Sequence, residues 1–377
     1  MGNIKIAHVS NMIGGGMGTV FRVLLPAQVA RGDAVTFFVR HLLDEDRSYF
    51  DGKEVETERI GGIIGLVRKL RSYDVVHFHS ADLDLLVAGW LCRVPTIFTL
   101  HGLRAQTRSL RSIRLGRLPT LRGVRRRWKR LVLSLLLRHA MSRVTGVSEF
   151  LAERLRTQYG VKRGKVDVVY NGIVSEQFRY SSRLQNESDW VIGWVGRLVD
   201  VKRVDVFLRV VADIVRGGEG GRLRAIVVGD GPLRDELASL AELLGVDNAV
   251  EFLGYSDEPW KYLGQMDLFV FPSRNEGAPM ALCEAMAAGV PAVVLEDGGG
   301  AAELVARSGG GVVVSDEKAM AQVIRSLLAN PQRRRELTQK ALDYASREFR
   351  PVEWAGKYEV VYSAAIAGSR TALGPTT

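Results

Sequence analysis

Two glutamates, Glu276 and Glu284, stand with seven residues between them in the stretch RNEGAPMALCEAMAAGVPAVV, which begins at Arg274. The preceding DLFVFPS reads as a buried strand, so Arg274 to Ala278 forms a loop at its carboxyl end. Pro279 suits the first position of a following helix, where its missing N–H leaves no bond unmade. Free amides and the positive end of the dipole at that helix start favour an anion such as a diphosphate. A carboxylate in the same place is suited to accept hydrogen bonds from hydroxyls. A sugar on one side of a diphosphate and a ribose on the other would supply them, which is the outline of a nucleotide sugar. Taken alone, the pair also reads as a solvated loop glutamate and a helix glutamate paired with an arginine.

Further residues repeat the anion signal. In IGWVGRLVDVKRVD, Gly193 and Gly196 allow close backbone approach after a strand, and Arg197 and Lys202 supply two cations for two phosphates. A solvated basic turn is the alternative. The loop NMIGGGMGT, with Gly14, Gly15, Gly16 and Gly18, follows the first strand and suits phosphate binding. Thr19 stands where the last glycine of a dinucleotide fingerprint belongs, and no acid follows the second strand until Asp44, which argues against a nicotinamide cofactor. His77 and His79 share one strand face in DVVHFHS, but no third residue has metal-ligand spacing, so both read as structural.

Of 377 residues, 46% are hydrophobic and 25% charged, a composition that excludes a disordered chain and allows two domains. The cysteines, Cys92 and Cys283, read as small buried groups rather than a disulfide framework. No run of about 20 apolar residues could cross a bilayer, and MGNIKIAHVS lacks the features of a secretory signal, so the expected location is the cytoplasm. The formal charge of +10 is concentrated: from Arg104 to Arg143 there are thirteen Lys or Arg and no acid. With Trp128 and LVLSLLL, this segment has the mixture of a surface touching anionic membrane, equally compatible with a core helix carrying solvated arginines.

Strand-length apolar runs alternate with amphipathic segments, which predicts βαβ units and parallel sheets. One doubly wound α/β domain spans residues 1–174, a polar linker 175–189 and a second such domain 190–350. Residues 317–349 read as helical, Pro351 breaks them from a terminal helix over 351–367 that could cross back onto the first domain, and 368–377 form a fraying tail. Ligands of open parallel sheets bind beyond the carboxyl ends of the strands, so a cleft between the two domains is the expected site.

These residues carry a resemblance. The Gly-rich first loop, DVVHFHS, TLHG, VTGVS, YNGI, GWVGRL with Lys202, VVGDGP, EFLGY and the E-x7-E element after FVFPS resemble family 4 glycosyltransferases of the GT-B fold, over almost the whole chain. The resemblance implies two facing Rossmann-like domains, a cleft between them, and an acceptor site in the first. It implies that Glu276 holds donor-sugar hydroxyls, Glu284 the ribose, and Arg197 with Lys202 the diphosphate. Backbone amides of Gly277, Ala278 and Met280 would complete the phosphate site, Gly15 and Gly16 would approach the donor from the other domain, and Gly254 and Tyr255 would border the base. His101 of TLHG would lie beside the transferred sugar, or else be a structural histidine.

The implied activity is metal-independent, cofactor-free transfer, with retention of anomeric configuration, of a hexose or N-acetylhexosamine from a UDP- or GDP-sugar to a glycan or polyprenyl- or other lipid-linked acceptor. Cell-surface polysaccharide or lipopolysaccharide synthesis at the inner face of the membrane is the setting it suggests. Two other readings are a nucleotide-sugar 2-epimerase of the same architecture and a protein binding anionic membrane or nucleic acid through its arginines. The E-x7-E context counts against the first, and Trp128 as the lone aromatic of the strip against nucleic acid.

Overall fold

The computed structural model describes residues 3–13, 15–41, 50, 54–102, 121–174, 190–219 and 223–372. The expected linker 175–189, Gly14 of the first loop, residues 103–120 of the basic segment and the last five residues of the tail lie outside them. The chain divides into two compact units: Met1–Gly172 with Pro351–Thr377, and Ile173–Arg350.

The first unit is built on a parallel sheet of order β3-β2-β1-β4-β5-β6-β7, comprising β1 (Lys5–Met12), β2 (Ala34–His41), β3 (Glu56–Arg59), β4 (Val75–Phe78), β5 (Thr96–Leu100), β6 (Arg143–Gly146) and β7 (Val166–Val168). Its helices are α1 (Gly15–Val29), α2 (Ile63–Leu70), α3 (Leu83–Cys92), α4 (Leu121–Leu135) and α5 (Glu149–Tyr159). The central residues of β1, β2 and β4 are buried on both faces, as strands of a doubly wound sheet must be, and are apolar apart from His8, Ser10, Thr36 and His77. The short strand β3 has the sequence ETER, and with no apolar run to mark it, hydrophobic pattern does not predict it.

The second unit repeats the design with order β10-β9-β8-β11-β12-β13: β8 (Trp190–Val195), β9 (Leu223–Val228), β10 (Val250–Gly254), β11 (Leu268–Phe271), β12 (Ala292–Leu295) and β13 (Gly311–Val314). Around it run α6 (Val204–Ile214), α7 (Arg234–Leu244), α8 (Trp260–Leu263), α9 (Met280–Ala287), α10 (Gly300–Ser308), α11 (Glu317–Leu328) and α12 (Pro331–Glu348). The single helical run expected over 317–349 is two helices. Asn330 accepts from the Arg333 amide as an N-cap and Pro331 opens the second helix, so the chain turns there.

The last helix, α13 (Pro351–Ala372), belongs to the first unit, where it packs beside α1 and against β4, β5 and β6. It buries Trp354, Tyr358 and Tyr362 completely or nearly so. It runs past the boundary expected at 367, because a helix already anchored by its buried face extends by one backbone bond per residue.

Candidate active site

In each sheet the strand order reverses between two neighbours, β1 and β4 in one unit and β8 and β11 in the other. Crevices open at such reversals because successive connections leave toward opposite faces. In the second unit the loops after β8 and β11 meet there. Lys202 ends a short 3-10 turn, Asp200–Lys202, and its Nζ lies 2.8 Å from Oε1 of Glu276 in the loop after β11. Both side chains are mostly sheltered, at 20% and 15% exposure. The approach is an ion pair without hydrogen-bond alignment, and Glu276 Oε1 is buried with no hydrogen-bond partner among the described residues. A lone pair on this oxygen is therefore left without a hydrogen bond among the described residues.

The backbone explains why this carboxylate stays put. The Glu276 amide donates to Gly298 O at 3.0 Å and its carbonyl accepts from the Gly300 amide at 2.8 Å. Asn275, at φ 51, turns the chain into that bridge, and its own amide donates to Asp297 O. The Arg274 amide donates to Val201 O at 2.9 Å, which joins the loop to the turn that carries Lys202. Asp297 then draws Arg203 at 3.3 Å and Arg274 at 2.6 Å together. Burial and the neighbouring Arg274 hold the Arg203 guanidinium below its ordinary pKa.

Pro279 is the N-cap rather than the first helical residue, with extended backbone at φ −70, ψ 116, and its carbonyl accepts from Leu282 and Cys283 amides. The preceding amides of Gly277 and Ala278 make no hydrogen bond among the described residues, as anion-binding donors at a helix start should. Met280 begins α9, and Glu284 sits one turn further in, half-buried. Arg197 is exposed after β8 and has no ion-pair partner among the described residues.

The two glycines near it have different jobs. Gly193 lies inside β8, where a Cβ would stand 2.2 Å from the Met266 side chain, so it serves packing rather than ligand approach. Gly196, at φ 155, belongs to the turn, and its amide donates to Val228 O at 2.9 Å. Gly229 crosses so closely that a Cβ there would lie 1.7 Å from Gly196 O, and its amide donates to Gly254 O at 2.7 Å. The ends of β8, β9 and β10 are thus stitched backbone to backbone. Tyr255, beyond Gly254, is 74% exposed, with its hydroxyl donating to Asp257.

In the first unit, α1 begins at Gly15, so Gly15, Gly16 and Gly18 form the helix's opening turn instead of a free loop. The reversal between β1 and β4 holds a polar cluster: His8 and His77 are register partners. His8 Nδ1 lies 2.8 Å from His79 Nε2, and His79 Nδ1 lies 2.9 Å from His101 Nε2. His8 Nε2 meets Gln28 Oε1 at 2.8 Å, and the Gln28 amide donates to the Tyr362 hydroxyl. His77 bonds that hydroxyl and Thr99. Burial lowers the pKa of His8 to about 4 and of His101 to about 3, and pushes His77 and His79 well down, so all four rings are neutral.

His8 is thus a third imidazole beside His77 and His79, with ring nitrogens within 4.8 Å of one another. It was invisible to spacing because only strand pairing brings it there. Every ring nitrogen of these three already has a hydrogen-bond partner, and a cation would have to displace those bonds.

Comparison with known proteins supplies the lineage. Residues 14–177 match the family described as Glycosyltransferase Family 4, and residues 176–343 match Glycosyl transferases group 1. An uncharacterized glycosyltransferase of Methanocaldococcus jannaschii is 29% identical over 65% of this chain, which spans 62% of that protein's length. The D-inositol 3-phosphate glycosyltransferase of Nocardia farcinica is 28% identical over 80% of the chain and 69% of its own length. The structure of Anabaena HepE, solved in complex with UDP, superposes with a TM-score of 0.79 over 96% of this chain and all of that one, at 19% identity.

Proposed function

The chain belongs to glycosyltransferase family 4 and has the GT-B fold, and from that premise we propose that it moves a hexose or N-acetylhexosamine from a UDP- or GDP-sugar to a glycan or lipid-linked acceptor, with retention, in cell-surface polysaccharide synthesis. The observation that carries this reading is the Lys202–Glu276 pair at 2.8 Å beside the unbonded amides of Gly277 and Ala278. Cation and amides suit a diphosphate, and the sheltered carboxylate suits the sugar's hydroxyls. HepE of Anabaena has also been solved with UDP-glucose, which favours a UDP-linked donor here.

In the proposed reaction the acceptor hydroxyl attacks the anomeric carbon as its bond to the diphosphate oxygen breaks. The leaving phosphate takes the hydroxyl proton. Negative charge grows on the diphosphate, where Arg197, Lys202 and the start of α9 stabilise it. Glu276 orients the sugar and Glu284 the ribose. No side chain is required as nucleophile.

A membrane-linked acceptor is supported by α4. Trp128, Leu131 and Leu135, at 63%, 52% and 45% exposure, recur at helical spacing on one face, among exposed Arg127, Lys129 and Arg130. Trp90 and Leu91 at the end of α3 are exposed as well. Among the described residues no helix is long and apolar enough to cross a membrane. An apolar stripe set in basic residues suits the anionic cytoplasmic leaflet, and we place the enzyme there as a peripheral protein.

Thermal shift against UDP, GDP, ADP, UDP-glucose, UDP-GlcNAc, GDP-mannose and NAD tests the reading, since a ligand of the folded state raises Tm. Stabilisation by one nucleoside diphosphate series and not by NAD is expected. A response confined to anionic lipid or RNA would sink it.

A further inference from the structure

His101 ends a line of buried hydrogen bonds whose direction is traced from the other end. The Gln28 side-chain N–H donates to the Tyr362 hydroxyl at 2.8 Å, which leaves Gln28 Oε1 as the atom facing His8 Nε2 at 2.8 Å. An amide oxygen has no proton to give, so His8 carries its proton on Nε2 and accepts at Nδ1. The contact of His8 Nδ1 with His79 Nε2 then needs the His79 proton on Nε2, and that of His79 Nδ1 with His101 Nε2 needs the His101 proton on Nε2. A neutral imidazole has one N–H, so His101 Nδ1 is left as a bare acceptor. That nitrogen is buried and has no partner among the described residues.

Turning the Gln28 amide over would reverse every bond in the line and leave an orphaned N–H on His101, a costlier vacancy than an unmet lone pair. The Tyr362 hydroxyl also faces His77 Nδ1 at 2.9 Å, and His77 Nε2 faces the Thr99 hydroxyl at 2.6 Å, a branch whose hydroxyls can serve either sense, so the choice of direction rests on the His101 end of the line. With Gln28 donating, Tyr362 donates to His77 and His77 donates to Thr99, so each contact is satisfied in one sense. The line also has a dead end. The Gln28 carbonyl cannot take up a proton, so the chain orders tautomers and does not conduct.

We propose that Gln28, bonded to Tyr362 of α13 and acting through His8 and His79, is a positioning residue that locks His101 with Nδ1 as a hydrogen-bond acceptor for a hydroxyl of the donor sugar. This rests on the reading that His101 meets that sugar. His101 then binds a hydroxyl without acting as a base.

The test uses the full chain labelled with 15N-histidine, with His101 resonances identified through His101→Asn. Two-bond 15N–1H correlations are expected to show the proton of His101 on Nε2. Gln28→Met removes the lock, and Tyr362→Phe, which deletes one hydroxyl only, provides a milder variant should the first not fold. Either one redistributes the His101 proton, and weakens UDP-glucose (or GDP-mannose, whichever series binds) about tenfold while leaving the bare nucleoside diphosphate unchanged, the loss of about one hydrogen bond. A wild-type proton on Nδ1, or a tautomer indifferent to both substitutions, overturns the lock whatever the binding data say. A redistributed proton with unchanged sugar affinity, matched by an unchanged affinity in His101→Asn, overturns instead the placement of His101 at the sugar.

Discussion

Lys202 and Glu276, carried by two loops that leave neighbouring strands of one sheet, hold each other at 2.8 Å in a mostly sheltered ion pair. On the proposed reading the carboxylate is aimed before any sugar arrives, which would lower the ordering cost of binding. Glu276→Gln keeps the shape and removes the charge. Transfer should fall roughly 100-fold or more, with Tm moved by no more than about 2 °C, since the loop is held by its backbone bonds to Gly298 and Gly300 and the amide can still accept from Lys202. Initial rates and a melting curve decide it, and unchanged turnover would remove Glu276 from the sugar site.

Arg197 is exposed and unpaired among the described residues, so its removal should cost ligand binding and not folding. Arg197→Ala is expected to weaken the nucleoside diphosphate by about tenfold to 100-fold, the scale of a charge-assisted contact. Calorimetric titration measures this, and Arg197→Lys should recover only part, because an ammonium lacks the planar fork.

Gly229 tests the stitching of the loops. A Cβ would lie 1.7 Å from Gly196 O, on backbone at φ 134 that side chains rarely adopt. Gly229→Ala should destabilise the chain by more than about 2 kcal/mol in urea unfolding. Gly245, also at positive φ but facing open space, should cost less when changed to Ala, since only the backbone strain remains.

The buried imidazoles predict acid sensitivity. His8 and His101 titrate at about 4 and about 3 in the folded chain against an ordinary 6.5, so below 6.5 the unfolded chain binds more protons. Their favourable contribution is complete above pH 6.5 and is lost as pH falls toward 4. One such group costs about 1.4 kcal/mol per pH unit in that window. Urea unfolding at pH 7 and pH 5 should differ by at least about 2 kcal/mol. A flat profile would mean that these rings are hydrated in solution.

For α4, Leu131→Glu places a charge in the middle of the exposed apolar stripe. Co-sedimentation with vesicles rich in phosphatidylglycerol should drop several-fold, and transfer to a soluble acceptor should not change. Equal sedimentation of variant and wild type would detach this face from the membrane.

Much of this was legible in the chain because it depends on local order. Alternating apolar runs and helical segments dictate parallel sheets, and the loop after each strand must emerge at its carboxyl end. That is why Arg197, Lys202 and Glu276 could be named from spacing and neighbours. Local readings failed where a distant contact decides. Gly193 looks like a ligand glycine until Met266 is seen against it. Pro279 fits a first helical turn, yet the bridge of Glu276 to Gly299 holds the chain extended one residue longer.

The amino-acid sequence by itself determined the two doubly wound units, the loops that carry Arg197, Lys202 and Glu276, and the family. The tertiary structure alone decided which side chains meet. β1 had to pair with β4 before His8 could stand beside His77, and α13 had to return to the first unit before Tyr362 could reach Gln28. Hydrophobic periodicity specifies which face of an element is buried; which polar atoms then find each other inside depends on register and packing between segments hundreds of residues apart, as Gln28 and Tyr362 are.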